Sequence, residues 1–306
     1  MTNGTKVVKR NGSIEPLNLE KIHRMAEEAC EGLAGVSASQ VEIQSGIQFY
    51  DGIKTSEIQE ILIKSASDLI TLENPNYQYV ASRLLLFAVR KSLYGRLREL
   101  PTLEKIRKAD GWIDHERDFM FTYAGLRQVV DKYLVQDRSG GGVYETPQFM
   151  YIMIALTIFA EYPKETRMNY VKRYYEAISR HKINIPTPIM GGVRTPIRQF
   201  ASCVLVDIDD TLDSIFSSDM AIGKYVAQRA GIGINAGRIR GINSKIRGGE
   251  VQHTGVVPFL KKFESTVRCC TQNGIRGGSA TVHFPIWHQE IEDILVLKNN
   301  KGTEDN

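Results

Sequence analysis

From Ile183 onward the sequence alternates short β-rich runs with longer helical stretches, and this alternation narrows the possible architecture more than any other feature. Phe200–Asp207 reads as a strand, Thr211–Arg229 as a helix and Ile232–Ile239 as a strand; Gly255–Cys270 reads as a helix, Ala280–Pro285 as a strand and Trp287–Asn299 as a helix. Strands that take turns with helices imply an α/β architecture. Two loops rich in glycine and arginine interrupt the pattern: Arg229-Ala-Gly-Ile-Gly-Ile-Asn-Ala-Gly-Arg-Ile-Arg240 and Thr271-Gln-Asn-Gly-Ile-Arg-Gly-Gly-Ser-Ala280. Within the first, Gly231 to Ala236 satisfies the glycine pattern of dinucleotide-binding proteins. That fingerprint has to follow a strand and open a helix, because the helix N-terminus holds the pyrophosphate. Here it follows a helix and leads into an extended segment, so it is rejected.

The first 95 residues have a different texture. Lys6-Val-Val-Lys-Arg10 and Ser13-Ile-Glu-Pro-Leu17 flank Asn11-Gly12, a strong hairpin signal. A helix is expected from a cap at Asn18, with Ile22, Met25, Ala26 and Ala29 on one face. A second helix is expected near Thr55-Ser56, with Ser56 and Gln59 as a capping-box pair. A third is expected from Asn74-Pro75, carrying Val80, Leu84 and Phe87 and ending before Gly95. Residues 96–142 are mixed and poorly periodic, which suggests a helical connector. Thr146 and Pro147 are read as the cap and first turn of a buried helix over Phe149–Ala160, and Tyr162–His181 as an amphipathic helix.

The totals exclude several classes. The chain has 306 residues, 42% hydrophobic and 24% charged, which suits a globular protein with a substantial core. A formal charge of +4 permits anionic ligands without demanding DNA. The longest apolar run, Phe149–Ala160, is too short to cross a bilayer, so no membrane role is expected. The four cysteines, Cys30, Cys203, Cys269 and Cys270, form no C-x-x-C pair, so no metal site is expected. Cys269 and Cys270 are read as two buried thiols. With no signal peptide, free thiols and a cytoplasmic location are expected, or host cytoplasm if the gene is viral.

Cys203 in the run Arg198-Gln-Phe-Ala-Ser-Cys-Val-Leu-Val-Asp207, the two glycine loops and Pro186-Thr-Pro-Ile-Met190 together resemble the large subunit of class I ribonucleotide reductases. The hairpin over three helices resembles the ATP-cone, the regulatory module of those enzymes. The resemblance implies an ATP-cone over 1–95, a helical connector over 96–181, and the first part of a ten-stranded α/β barrel over 182–306. It implies a cone pocket of Lys9, Arg10, Glu15, Lys21, Thr55 and Lys91. Lysine and arginine suit a triphosphate, and Thr55 adds a hydroxyl at a helix start where backbone N–H groups point outward. Family cones that inhibit usually have Asp, His and His where this chain has Glu57, Gln59 and Ala88, so this cone is expected to bind nucleotide without the inhibitory switch.

In the barrel the resemblance makes Cys203 one thiol of a reducing pair, with Thr187, Ser202 and Gly231 contacting the substrate diphosphate. It assigns Asp210, Thr211, Leu212, Arg240 and Arg247 to a specificity site for a deoxynucleoside triphosphate, and Gln272 and Arg276 to a loop that relays its identity. Arginine forks match phosphate oxygens, which is the physical sense of Arg240 and Arg247. The implied cofactors are ATP and deoxynucleotide effectors, with magnesium, and a radical cofactor held by a small subunit. The implied partners are that small subunit, a second copy of the large subunit, and thioredoxin or glutaredoxin. The second cysteine of the pair and the radical cysteine lie further along in the family than Asn306. A C-terminal polypeptide completing the barrel is therefore expected, this chain being a split or truncated subunit inactive alone. The competing reading is a non-catalytic nucleotide-binding remnant of such a subunit.

Overall fold

The computed structural model describes residues 4–46, 49–97, 113–140, 142–271 and 277–297. The chain packs as two compact units, residues 1–185 and 186–306.

In the first unit β1 (Lys6–Val8) pairs antiparallel with β2 (Ile14–Pro16) and parallel with β3 (Ile53–Lys54). Asn11-Gly12 does not form a two-residue hairpin loop. Lys9 N–H donates to Ser13 O at 2.8 Å and Gly12 N–H to Lys9 O at 2.9 Å, so the loop is Arg10-Asn11-Gly12 with Gly12 left-handed at φ +82°. That geometry is a type I turn followed by a bulge, for which glycine is the cheapest last residue. Helix α1 (Leu19–Cys30) starts as expected, with Asn18 Oδ1 accepting from Lys21 N–H at 3.0 Å. Helix α2 (Ala38–Gln44), which the sequence pattern does not announce, buries Val41.

Helix α3 (Thr55–Asp68) corrects the capping expectation: its cap is Lys54, whose N–H reaches Glu57 Oε2 at 3.4 Å. Gln59 is instead buried, with Oε1 accepting from Arg10 Nη2 at 3.1 Å. Helix α4 (Tyr77–Leu97) continues through Gly95, packed on α1 and α3 through Val80, Leu84 and Leu93. Tertiary burial of that face outweighs the roughly 1 kcal/mol that an interior glycine costs.

A 3-10 turn (His115–Met120) follows, then α5 (Tyr123–Gln128), one π turn (Val129–Tyr133) and the short pair β4 (Gln136–Asp137) and β5 (Gly142–Val143). Helix α6 (Pro147–Ile158) starts at the expected cap, Thr146, and buries Met150, Ile154 and Ala155. Helix α7 (Arg167–Ser179) begins five residues later than the amphipathic pattern, since Pro163 to Thr166 form turns of their own.

The second unit opens with α8 (Thr187–Gly192). Its sheet contains β6 (Cys203–Asp207), β7 (Gly231–Asn235) and β10 (Ala280–His283) in the order β10-β7-β6, all parallel. Helices α9 (Leu212–Ala227) and α10 (Val257–Cys269) supply the crossovers. Ile215, Ile222, Ile232, Ile234, Phe263 and Val267 form the core between helices and sheet. Asp219 ties the two helices, accepting from Lys262 at 2.5 Å and Thr266 at 2.6 Å. A small hairpin, β8 (Lys245–Ile246) and β9 (Val251–Gln252), lies between β7 and α10, and α11 (Ile291–Val296) ends the described chain. The α/β expectation holds, and Gly231–Asn235 is strand rather than phosphate loop, as its rejection required, although β7 stops short of the expected Ile239. Cys269 is exposed and Cys270 half-buried, which corrects the expected buried pair: at the end of α10 only Cys270 packs against the core.

Candidate functional site

In the first unit the hairpin, the start of α1, the start of α3 and one turn of α4 enclose a cleft. Lys9, Glu15, Lys21, Thr55 and Lys91 all line it, with Gln59 and Met25 on its wall. Arg10 stands at its side, held by Gln59. The cations outnumber their partners. Lys9 pairs with Glu15 at 3.3 Å, whereas burial and then the charges of Arg10, Lys9 and Lys21 push the Lys91 ammonium below its ordinary range. Burial likewise lowers the Arg10 guanidinium, with Glu60 opposing. Like charges gathered at the mouths of two helix N-termini favour a polyanion, which would relieve the repulsion. Of the three departures, Glu57 accepts from Tyr50 Oη at 2.8 Å, Gln59 holds Arg10, and Ala88 is half-buried on α4.

In the second unit the parallel register sets Cys203 opposite Gly231, and Gly231 N–H donates to Ser202 O at 2.8 Å. Three predicted residues, Ser202, Cys203 and Gly231, are thus neighbours at one end of the sheet. Cys203 is exposed. Thr187 opens α8.

The segment after β6 meets the segment after β7. Arg240 Nε donates to Asp210 Oδ2 at 2.7 Å, and its backbone N–H to Asp210 Oδ1 at 3.0 Å. Thr211 caps α9, accepting from Ser214 N–H at 3.1 Å, with Leu212 first in the helix and exposed. Arg247 lies in the left-handed region at φ +51°, beside Gly248 at +71°. Asp210, Thr211, Leu212 and Arg240 are therefore adjoining; Arg247 follows β8. Gln272 and Arg276 lie outside the described residues. Of the flanking residues, Gly278 N–H donates to Thr271 Oγ1 at 2.9 Å.

Sequence reasoning missed three groups. Arg238 pairs with Asp207 at 2.9 Å and Asp209 at 2.7 Å, beside the Arg240 pair; the matching Asp-rich and Arg-rich segments were the available signal. Glu290 is buried and accepts from Ile242 N–H at 2.8 Å and Val256 N–H at 3.0 Å, which fixes both flanks of the β8–β9 hairpin. Its carboxylate lies where a Cβ on Gly255 (φ +92°) would be, so only glycine fits there. The third is a buried network in the first unit around Asp118, whose carboxyl burial raises to about 6 against the pull of Gln148 and Arg90. Among the described residues no cluster of three or more metal-ligating side chains is found, and no helix is long and apolar enough to cross a membrane.

Three family models match the chain in sequence: the ATP cone domain over residues 5–92, the ribonucleotide reductase all-alpha domain over 119–198, and the ribonucleotide reductase barrel domain over 201–306. That succession defines the large subunits of ribonucleotide reductases. Among curated relatives, ribonucleoside-diphosphate reductase 1 subunit alpha of Escherichia coli (strain K12) is 53% identical, the match covering 100% of this chain and 43% of that protein. The corresponding alpha subunit of Haemophilus influenzae is 52% identical with the same coverage, and that of Enterobacteria phage T4 is 44% identical over 98% of this chain and 42% of its own length. The chain belongs to the class I ribonucleotide reductase alpha-subunit family, and carries its ATP cone, its all-alpha domain and the start of its barrel. It spans less than half the length of these relatives.

Proposed function

We propose that this chain contributes the regulatory nucleotide site, the specificity-effector segment and one redox thiol to a ribonucleoside-diphosphate reductase. Residues 1–95 act as the cone, 96–181 as the helical connector and 182–306 as the opening of the barrel. The observation that carries this reading is the parallel register of β6 and β7, which puts Cys203 beside Ser202 and Gly231 at one sheet end, with Asp210 and Arg240 paired at the other.

In the reaction, Cys203 and a second cysteine outside this chain each give up one electron and one proton as they join in a disulfide, and the ribose 2′-hydroxyl leaves as water. Thr187, Ser202 and the Gly231 backbone hold the diphosphate with hydroxyl and amide groups, which release it each turnover. Asp210, Thr211, Leu212, Arg240 and Arg247, with Gln272 and Arg276, read a deoxynucleoside triphosphate. Lys9, Arg10, Lys21, Thr55 and Lys91 hold ATP with magnesium in the cone, with Glu15 lining the same cleft. Activity requires the rest of the barrel, a second large subunit, a radical-generating small subunit, and thioredoxin or glutaredoxin as reductant, all in the cytoplasm of the cell or host.

The test is reconstitution. The chain is combined with the barrel remainder and small subunit of a close relative, and CDP reduction is measured with and without effector. Effector-dependent formation of dCDP supports the reading; ATP binding without any reduction in the complete assembly would point to a non-catalytic remnant.

A further inference from the structure

Helix α4, which brings Lys91 to the cone cleft, also grips the Phe119 ring, and one of the gripping arginines reaches the end of α1. Helix α4 carries Lys91 on the cleft and, on the adjoining stripe, Arg83, Phe87 and Arg90. The Arg83 and Arg90 guanidinium carbons lie 5.4 and 5.1 Å from the centre of the Phe119 ring, and Phe87 meets that ring edge-on at 6.4 Å. Arg83 Nη1 also donates to Ala29 O at 3.2 Å and Glu31 O at 2.6 Å, and so caps the end of α1, the helix that carries Lys21.

On its far side the same turn is tied to the all-alpha helices. Asp118 Oδ1 accepts from Gln148 Nε2 of α6 at 3.1 Å, and Gln148 Oε1 accepts from Tyr175 Oη of α7 at 2.9 Å. Arg117 reaches Ser179 and Glu176 of α7 at 2.5 and 2.8 Å. Between the two sides stands the Arg90 guanidinium, within reach of two acceptors. Arg90 Nη2 donates to His115 O at 2.7 Å and lies 3.5 Å from Asp118 Oδ2, a fully buried oxygen that accepts no hydrogen bond. A shift of α4 by less than about 1 Å would exchange these partners, the kind of discrete repacking that carries coupling between sites.

We propose that Phe119, gripped by Arg83 and Arg90, is the positioning residue that passes nucleotide occupancy of the cone to helix α6. The input rests on the nucleotide reading of the cone given above. A triphosphate neutralises the mutual repulsion of Lys9, Arg10, Lys21 and Lys91 and draws α1 and α4 together; the Phe119 clamp converts that movement into a change at Asp118 and Gln148.

The experiment uses the full 306-residue chain with Mg-ATP, following binding by calorimetry and backbone hydrogen exchange by mass spectrometry at residues 113–120 and 147–158. In the wild type ATP should slow exchange at 147–158 by about threefold or more. Phe119→Leu keeps an apolar side chain but removes the ring's attraction for cations; it should bind ATP within about threefold of wild type and lose the response at 147–158. Phe119→Trp should restore it. Arg83→Met, which leaves the ring in place, should weaken the same response. ATP binding to the wild type with no change at 147–158, or an undiminished response in either Phe119→Leu or Arg83→Met, would overturn the proposal. Absence of any ATP binding to the wild type would refute the nucleotide reading itself and leave the clamp without its input.

Discussion

The cone cleft and the thiol end of the β6–β7 pair handle polar chemistry in opposite ways. In the cleft, charge is concentrated: three lysines line it with one acidic residue, Glu15, which pairs with Lys9, and Lys91 is held below its ordinary range by burial and by its neighbours. The walls come from β1, α1, α3 and α4, all within one compact unit. At the thiol end, Cys203 and Leu205 project from the same face of β6 and both are exposed. A strand residue gains its environment from whatever covers that face, so the first site is built by this chain's own packing, and the second, on the function proposed above, is half of a surface. The cleft should therefore bind with the chain alone, whereas the thiol should matter only in a larger assembly.

The largest effect that separates the two concerns Cys203. In the reconstituted enzyme Cys203→Ser should lower CDP turnover by about 10³-fold or more, because removing one member of a unit that acts together costs nearly as much as removing all of it. ATP affinity at the cone, measured by calorimetry, should not move. Turnover sustained by dithiols in the variant would break the contrast.

Next comes Lys91→Ala. A charge-assisted hydrogen bond contributes about 1.5–3 kcal/mol, so ATP affinity of the isolated chain should fall roughly 10- to 100-fold. Unchanged affinity would mean that the cationic cleft is an ordinary solvated face.

A third test concerns the buried carboxyl behind the cleft. Asp118 titrates near 6 in the folded chain against 3.8 for the free group, so the fold prefers it protonated. Its contribution to stability is greatest below about pH 4, declines as pH rises towards 6, and is constant above that. The two-unit difference corresponds to about 3 kcal/mol at neutral pH. Asp118→Asn has nothing to titrate, so the difference in unfolding free energy between variant and wild type should change by about that amount between pH 4 and 7, read from urea titrations. A pH-independent difference would show that Arg90 already compensates the carboxylate in full.

Local rules made much of this legible. Asn18 and Thr146 cap helices where their side chains and the following apolar periodicity indicate, and the strand-helix alternation after Ile183 gives the parallel sheet. Spacing failed where long-range contacts decide. Gln59 has the position of a capping partner for Ser56, yet its amide is taken by Arg10 from the hairpin 49 residues away. Gly95 is a helix breaker by propensity, but α4 runs through it because the helix is buried against its neighbours. Asp118, Glu290 and Arg238 are single polar residues whose partners lie 28 to 48 residues distant, and no local pattern reports such pairings. The cone lysines and the Asp210 and Arg240 pair were found through the family resemblance, since surface lysines and arginines are too common to signal a site.

The smallest predicted effect is the sharpest test of the half-surface. Leu205 is 83% exposed on β6, whereas Leu86 on α4 is fully buried. Leu86→Ala should cost about 2–5 kcal/mol, since it leaves a cavity in a packed core. Leu205→Ala in the isolated chain should change stability by less than about 0.5 kcal/mol, as for other substitutions away from packed features. If denaturant titration finds a loss above 2 kcal/mol for Leu205→Ala, that face of β6 is already covered, and a second copy of the chain would be the occupant to seek by its concentration dependence. If the loss is small in the isolated chain but large once the barrel remainder is added, the face that carries Cys203 is the one the added strands close over.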